Sequence, residues 1–408
     1  MASRRKALAA RREAMGFTQE SFAIRLGVEL STVGRWERGE LTPQPWRRPR
    51  IANGLGVSLE QLDELLAVIE PNVIMDSDRQ PEQSDKSFSV LNVDERQQVQ
   101  AALADAGRYF DGPVIDYFRR QLDGCMTSDG DRGPARTMPA MLGLLGAVEQ
   151  CGREVRPAVR RELLSFAACA AEFTGWLYRD VNDPVQARFW YDRATEWAQE
   201  AGDLLMQGYV LLKKSQMAYD ARDALRVLTL AQAALEGPWQ LPTKIRAEVT
   251  QQEALGMAMC GEPLPAVEGK LDDARELLAK TTMDDEPGVP GAYFTETTLM
   301  LRTATSFTEA GKPARAALMF GDVLTDAPLS RRDAGFFRAR RAHALALSGE
   351  PDEAATVGLE SIAVAAATDS RRTIRVLSEV MGTLTPWRSR PLVRDLHDAM
   401  AANGGAVA

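Results

Sequence analysis

Histidine is almost missing from this chain. His343 and His397 are the whole complement, and neither has a Cys, His or carboxylate at the spacing of a metal site or catalytic triad. The four cysteines, Cys125, Cys151, Cys169 and Cys260, contain no C-x-x-C pair. That argues against a disulfide framework or a zinc site and leaves them as reduced packing residues. No run approaches 18 apolar residues, and the basic start MASRRKALAARREAM lacks the apolar core of a secretory signal. A G-x-S-x-G motif and a Gly-rich dinucleotide turn are also missing. Gly269-Lys270 fails as a phosphate loop because Leu271 follows and position 264 is not glycine, while Asp272-Asp273 and Asp284-Asp285 fall in polar segments where solvation explains them. These absences predict a soluble cytoplasmic binding protein with no catalytic residue, metal or cofactor, and not an enzyme.

What is present divides the chain. At 408 residues and 45% hydrophobic content it is long enough for two or more domains with cores of their own. Residues 1–50 hold 11 Lys/Arg against 5 Asp/Glu, net +6, so the remainder carries −14 to reach the total of −8. A basic head on an acidic body suits a head that meets phosphate and a body that does not.

Within the head, Thr18 to Gly39 reads as two short helices joined by a tight turn at Leu26-Gly27-Val28, the signature of a DNA-binding unit. Thr18 is placed to cap the first of them, with Phe22, Ala23 and Leu26 as its buried stripe. A basic helix precedes this pair, and WRRPRIANGLG and SLEQLDELLAVI supply two more, giving a five-helix domain over 1–68. Residues 69–93, rich in Asp, Ser, Gln and Pro, read as a linker. The stretch 123–139, DGCMTSDGDRGPARTMP, reads as a second irregular segment, a long loop.

The rest, 94–408, reads as helix after helix with no alternating strand run, so the fold class is all-α. The helices repeat. Turn markers Asn182, Gly261, Gly311 and Gly349 are each followed two residues later by Pro184, Pro263, Pro313 and Pro351. Seven before each lies a small residue (Gly175, Ala254, Ala304, Ala342), four before a large one (Tyr178, Met257, Phe307, Leu345), and five after an alanine (Ala187, Ala266, Ala316, Ala354). A weaker copy centres on Tyr219. Small residues let antiparallel helices approach closely, and proline suits the first helical turn, where its missing N–H costs nothing. Hairpins of this period stack into a superhelix with a concave wall.

Two resemblances follow from these residues. Arg12 before Gly16, T-Q-E at 18–20, Ala23, Leu26-Gly27-Val28, Ser31-Thr32-Val33, W-E-R-G at 36–39 and L-G-V-S-L-E at 55–60 resemble the Cro/repressor-type, or XRE, helix-turn-helix family. The repeats look like tetratricopeptide repeats. Together they resemble regulators in which a repeat domain senses a peptide and drives a DNA-binding head. The first resemblance implies that the third helix enters the major groove, with Leu30, Ser31 and Arg35 reading bases and Thr32 near the backbone. It also implies phosphate contacts from Thr18 and Gln19 at the start of the second helix and from Arg38, Trp46, Arg47 and Arg48. Arg12 and Glu37 match positions that form an internal ion pair.

The implied partners are double-stranded DNA with a two-fold operator, bound by a homodimer associated with the nucleoid, and an effector on the repeat domain. Positions six and ten before each marker are expected on the concave wall: Trp176 and Glu172, Lys213 and Tyr209, Leu255 and Gln251, Thr305 and Leu301, His343 and Ala339, with Arg179 and Gln216 close by. Their mix of aromatic, amide and both charge signs suits a peptide or small molecule. The alternative is a DNA-tethered scaffold whose groove holds another protein. An enclosed groove favours the first reading and a broad exposed wall the second.

Overall fold

The computed structural model describes residues 5–39, 41–43, 47–66, 93–239, 241–281, 290–326 and 328–403. The expected linker up to residue 92, Trp46 and Asp284-Asp285 lie outside these residues. By internal contacts the chain divides into two compact units, residues 1–85 and 86–408. Among the described residues there are helices and no strand.

The head comprises α1 (Lys6–Ala14), α2 (Gln19–Leu26), α3 (Leu30–Glu37), α4 (Arg48–Leu55) and α5 (Leu59–Leu66). Local chemistry sets its boundaries. The Thr18 hydroxyl accepts from the Ser21 amide at 3.0 Å, and Gly27 ends α2 at φ 66, a left-handed conformation in which a side chain would be strained. Ser58 and Gln61 cap α5 reciprocally, the Gln61 amide giving to the Ser58 hydroxyl at 3.1 Å and the Ser58 amide to the Gln61 carbonyl at 3.0 Å. Leu8, Phe22, Leu26, Val33, Trp36, Ile51, Leu55 and Leu62 form one small core.

The body opens with α6 (Val93–Ala104), α7 (Ala106–Tyr109), α8 (Gly112–Arg132) and α9 (Pro134–Cys151). Five hairpins follow: α10 (Pro157–Asp180) with α11 (Pro184–Ala201), α12 (Leu204–Asp220) with α13 (Ala224–Glu236), α14 (Thr243–Met259) with α15 (Leu264–Ala279), α16 (Glu296–Glu309) with α17 (Pro313–Asp326), and α18 (Arg331–Leu347) with α19 (Pro351–Thr368). Helices α20 (Arg371–Leu384) and α21 (Pro391–Ala402) finish the stack. The apolar face of α21, Val393, Leu396 and Met400, is buried within the body, Leu396 against Gly358 of α19, where an added Cβ would come within 2.8 Å.

Three expectations are corrected. Residues 123–139 are not a loop but the end of α8 and the start of α9, interrupted at Gly133. Their Asp, Ser and Gly content is overridden by burial of Cys125 and Asp129 and by proline at the start of α9. Gly133 has φ 77, and a Cβ there would sit 2.0 Å from the Thr368 carbonyl oxygen.

The weaker repeat turns at Arg222 (φ 59), not Tyr219. Its small residue is then Ser215, fully buried and donating to the Val227 carbonyl at 2.7 Å. The markers 182, 222, 261, 311 and 349 become more regular, at spacings of 40, 39, 50 and 38. Finally, Ala266 is exposed and Val267 takes the packed place. Pro263 is the cap of α15 rather than its first residue, which rotates the helix by one position.

Candidate functional site

On the head, α3 presents Leu30, Ser31, Arg35 and Arg38 to solvent, with Thr32 half-buried, while Val33, Trp36 and Glu37 turn inward. Ser31, Arg35 and Arg38 fall at i, i+4 and i+7, one face of the helix. Arg35 makes no side-chain hydrogen bond to another described residue.

The opposite face is locked by charge. Arg12 meets Glu37 at 2.6 Å with both side chains buried, and its guanidinium also donates to the Phe17 carbonyl. The Gln19 amide donates to the same carboxylate at 2.6 Å, so the group expected at a phosphate is committed to the α2–α3 junction. The Thr18 hydroxyl is likewise engaged as a cap. What the start of α2 offers a phosphate is its backbone N–H groups. Gly34 is buried beside Gln19 and Arg38, so it eases packing inside the head. Arg5 donates to the Trp36 and Leu41 carbonyls at 3.2 and 2.8 Å, closing the chain behind α3. Arg47 and Arg48 stand half-buried at the start of α4, Arg48 giving its Nε to the Pro43 carbonyl at 3.4 Å.

In the body, the inner faces of the hairpins line a partly open cavity of about 670 Å³. Of the residues expected on the concave wall, Glu172, Trp176, Arg179, Tyr209, Lys213, Gln216, Gln251, Leu255 and Thr305 line it. His343, Leu301 and Ala339 do not: Leu301 and Ala339 are core residues, and His343 is half-buried with its pKa lowered by burial and by Arg340. With the second hairpin centred on Arg222, the rule that organises the wall is nine before the marker. Phe173, Lys213, Gln252, Arg302 and Arg340 all occupy that place and all line the cavity. Sequence reasoning missed Phe173, Gln252, Arg302 and Arg340 because it used ten instead of nine.

The wall is a continuous polar network. The Lys213 ammonium donates to the Tyr293 hydroxyl at 2.7 Å and lies 3.8 Å from Glu172. Burial raises the Glu172 carboxyl above its ordinary range against the pull of Lys213. Glu248, fully buried behind the wall, accepts from Arg302 at 2.9 Å, from Gln216 at 2.8 Å and from the Tyr293 hydroxyl. Burial alone would raise its pKa, but Arg302 and Lys213 outweigh it and hold the carboxyl below its usual value. Arg179 pairs with Asp220, which also receives Arg375 at 3.0 Å.

Two further arginines reach the cavity from the far end of the stack. Arg332 of α18 pairs with Asp129 of α8, and Arg372 of α20 lies 3.4 Å from Asp180 of α10. With Arg179 they surround the Trp176 indole, at 5.1, 4.5 and 5.6 Å from its centre. No hairpin offset predicts Arg332 or Arg372. Among the described residues no cluster of His, Cys, Asp and Glu is arranged to hold a metal, and no helix is long and apolar enough to cross a membrane.

Comparison with protein families matches residues 6–65 to a helix-turn-helix domain. The head is therefore a helix-turn-helix domain, with α2 and α3 as its central pair. A comparison with curated proteins returned no match for the chain.

Proposed function

We propose that this protein is a sequence-specific DNA-binding transcriptional regulator whose repeat body binds an effector and thereby controls operator binding. Leu30, Ser31 and Arg35 read bases in the major groove, and Arg38, Arg47 and Arg48 hold the backbone. One such head covers half a site, so a homodimer on a two-fold operator is the working form. The body then resembles a tetratricopeptide-type sensor. An effector acts by binding one arrangement of the protein more tightly than another, and DNA must in turn shift the effector's affinity by the same factor.

The observation that carries this reading is the cavity on the inner faces of the hairpins. Its volume of about 670 Å³ falls within the range of small-molecule sites, and polar side chains from all five hairpins converge on it. The test is mass spectrometry of material released from native protein, followed by operator titration of the stripped and reloaded chain. A small molecule or short peptide near one per chain that changes operator affinity supports the proposal. A stoichiometric protein partner, or operator affinity indifferent to stripping, refutes it.

A further inference from the structure

Arg372 is the anomaly of the cavity wall. It is 6% exposed, and its guanidinium is stacked between Phe336, at 3.7 Å from the ring centre, and Trp176 at 4.5 Å. Among the described residues it donates no hydrogen bond. Its Nε lies 3.4 Å from Asp180 Oδ1 without bonding geometry. Asp180 Oδ1 accepts from the Ser370 hydroxyl at 2.8 Å, and Oδ2 lies 3.9 Å from Arg332 without a hydrogen bond, so Asp180 and Arg372 meet through charge alone. The neighbouring guanidiniums differ in this respect: Arg179 donates to Asp220 and Gln216, Arg332 to Asp129, and Arg340 to Glu379. Burial first, and the like charge of Arg179, push the Arg372 pKa down to about 10 against the opposing pull of Asp180.

Its buried Nε–H has no acceptor, and its terminal nitrogens donate to no described residue, so donors of this guanidinium are left to be met from the cavity. Stacking on two rings offsets part of the cost of burial without supplying an acceptor. The balancing carboxylates Asp180, Asp220 and Glu379 do not line the cavity, whereas Arg179, Arg332, Arg340 and Arg372 do. Asp123, Asp129, Glu172 and Asp333 do line it, against six cations once Lys213 and Arg302 are counted with these arginines, so the lining carries a formal excess of two positive charges. Phe173, Leu255, Leu329 and Phe337 supply an apolar surface to the same space.

From this arrangement we infer that the cavity takes a ligand carrying an oxyanion, a carboxylate or a phosphate, which accepts hydrogen bonds from the Arg372 guanidinium while its apolar remainder packs on the aromatic wall. Arg179, Arg332 and Arg340 add positive potential without giving up their own partners. The inference rests on the cavity being the effector site, and it names the chemistry that the effector must carry.

The test uses the full chain and two probes, potassium acetate and inorganic phosphate, each titrated at constant ionic strength against potassium chloride, with melting temperature as readout. Wild type is expected to show a saturable rise with one probe, and which probe gives it separates carboxylate from phosphate. Arg372→Met keeps the stacked length and removes the charge. It is expected to lose the saturable response, and to melt lower than unliganded wild type because the buried Asp180 loses its nearest cation. Arg372→Gln is expected to lose that response as well. The absence of a saturable rise in wild type overturns the inference. So does a saturable response that survives in Arg372→Met or, if that variant fails to fold, in Arg372→Gln. Operator titration separates this result from the regulatory reading. An anion response that depends on Arg372, with operator affinity indifferent to cavity ligands, keeps the inference and removes regulation. A native effector without an oxyanion that changes operator affinity does the reverse.

Discussion

Removing one half of the Arg12–Glu37 pair should unfold the head and leave the body intact. Both side chains are buried, at 5% and 9% exposure, and Glu37 also receives the Gln19 amide. Glu37→Met strands a buried guanidinium that keeps only the Phe17 carbonyl and the exposed Glu13 carboxylate. Breaking a buried pair from one side costs about 3–5 kcal/mol. A helical unit of roughly 60 residues has only about 3–9 kcal/mol to lose, at the usual stability per residue, so most of its margin goes. The double variant Arg12→Met/Glu37→Met removes both charges. It leaves only the Phe17 carbonyl and the Gln19 amide short of a partner, at about 1 kcal/mol each. It should therefore be more stable than either single variant, the sign of coupling within one network. Hydrogen exchange resolved by peptide reads this directly: α2 and α3 lose protection in the single variants and regain much of it in the double, while α10 to α19 are unchanged. If the double variant loses as much as the two singles together, the pair is not a buried coupled unit and the account of the head is wrong.

Other outcomes follow from single features. In an anisotropy titration, Arg35→Ala should cost about 1–3 kcal/mol and relax preference at one base pair, whereas Arg48→Ala should weaken specific and random DNA alike; equal losses for Arg35→Ala on both would remove it from the reading face. Two glycines should respond with opposite signs. Gly349 has φ 87 with nothing within 4 Å of an added Cβ, so Gly349→Ala should destabilise by about 1–2 kcal/mol through backbone strain alone. Gly269 sits exposed within α15 with equal space, so Gly269→Ala should stabilise by about 0.5–1 kcal/mol in a thermal melt. Burial pushes the Cys151 thiol up to about 11 and the Cys169 thiol up to about 12, so at pH 8 the Cys151 thiolate is about one part in a thousand. Iodoacetamide should label the exposed Cys260 well before either, and early modification of Cys169 would show that its surroundings are open.

The head was legible because what shapes it is local. A threonine cap, a left-handed glycine and an apolar stripe act within a few residues of themselves, and the ion pair of Arg12 with Glu37 follows from matching a dense pattern. The body was legible as a period but not as a surface. On a helix one residue is a rotation of about 100°, so choosing ten instead of nine before each marker selected the core residues Leu301 and Ala339 in place of Arg302 and Arg340. The second hairpin was misplaced by three residues because its turn carries Arg222 where the others carry asparagine or glycine. Residues 123–139 resembled a loop because their helix is held by partners distant in sequence.

By itself, then, the sequence determined an all-α chain with a helix-turn-helix head, a repeated hairpin body and a minority of the side chains that face inward. Those features depend on caps, turns and periodicity, which are written in consecutive residues. Only the tertiary structure decided how the stack closes on itself. Asp129 meets Arg332 across 203 residues, and Asp180 meets Ser370 across 190. These approaches carry Arg332 and Arg372 to the Trp176 indole and bring both ends of the concave wall to one cavity. Repeat periodicity specifies how each hairpin packs on the next. It does not specify where the last one meets the first, because that depends on the small rotations accumulated over every interface between them.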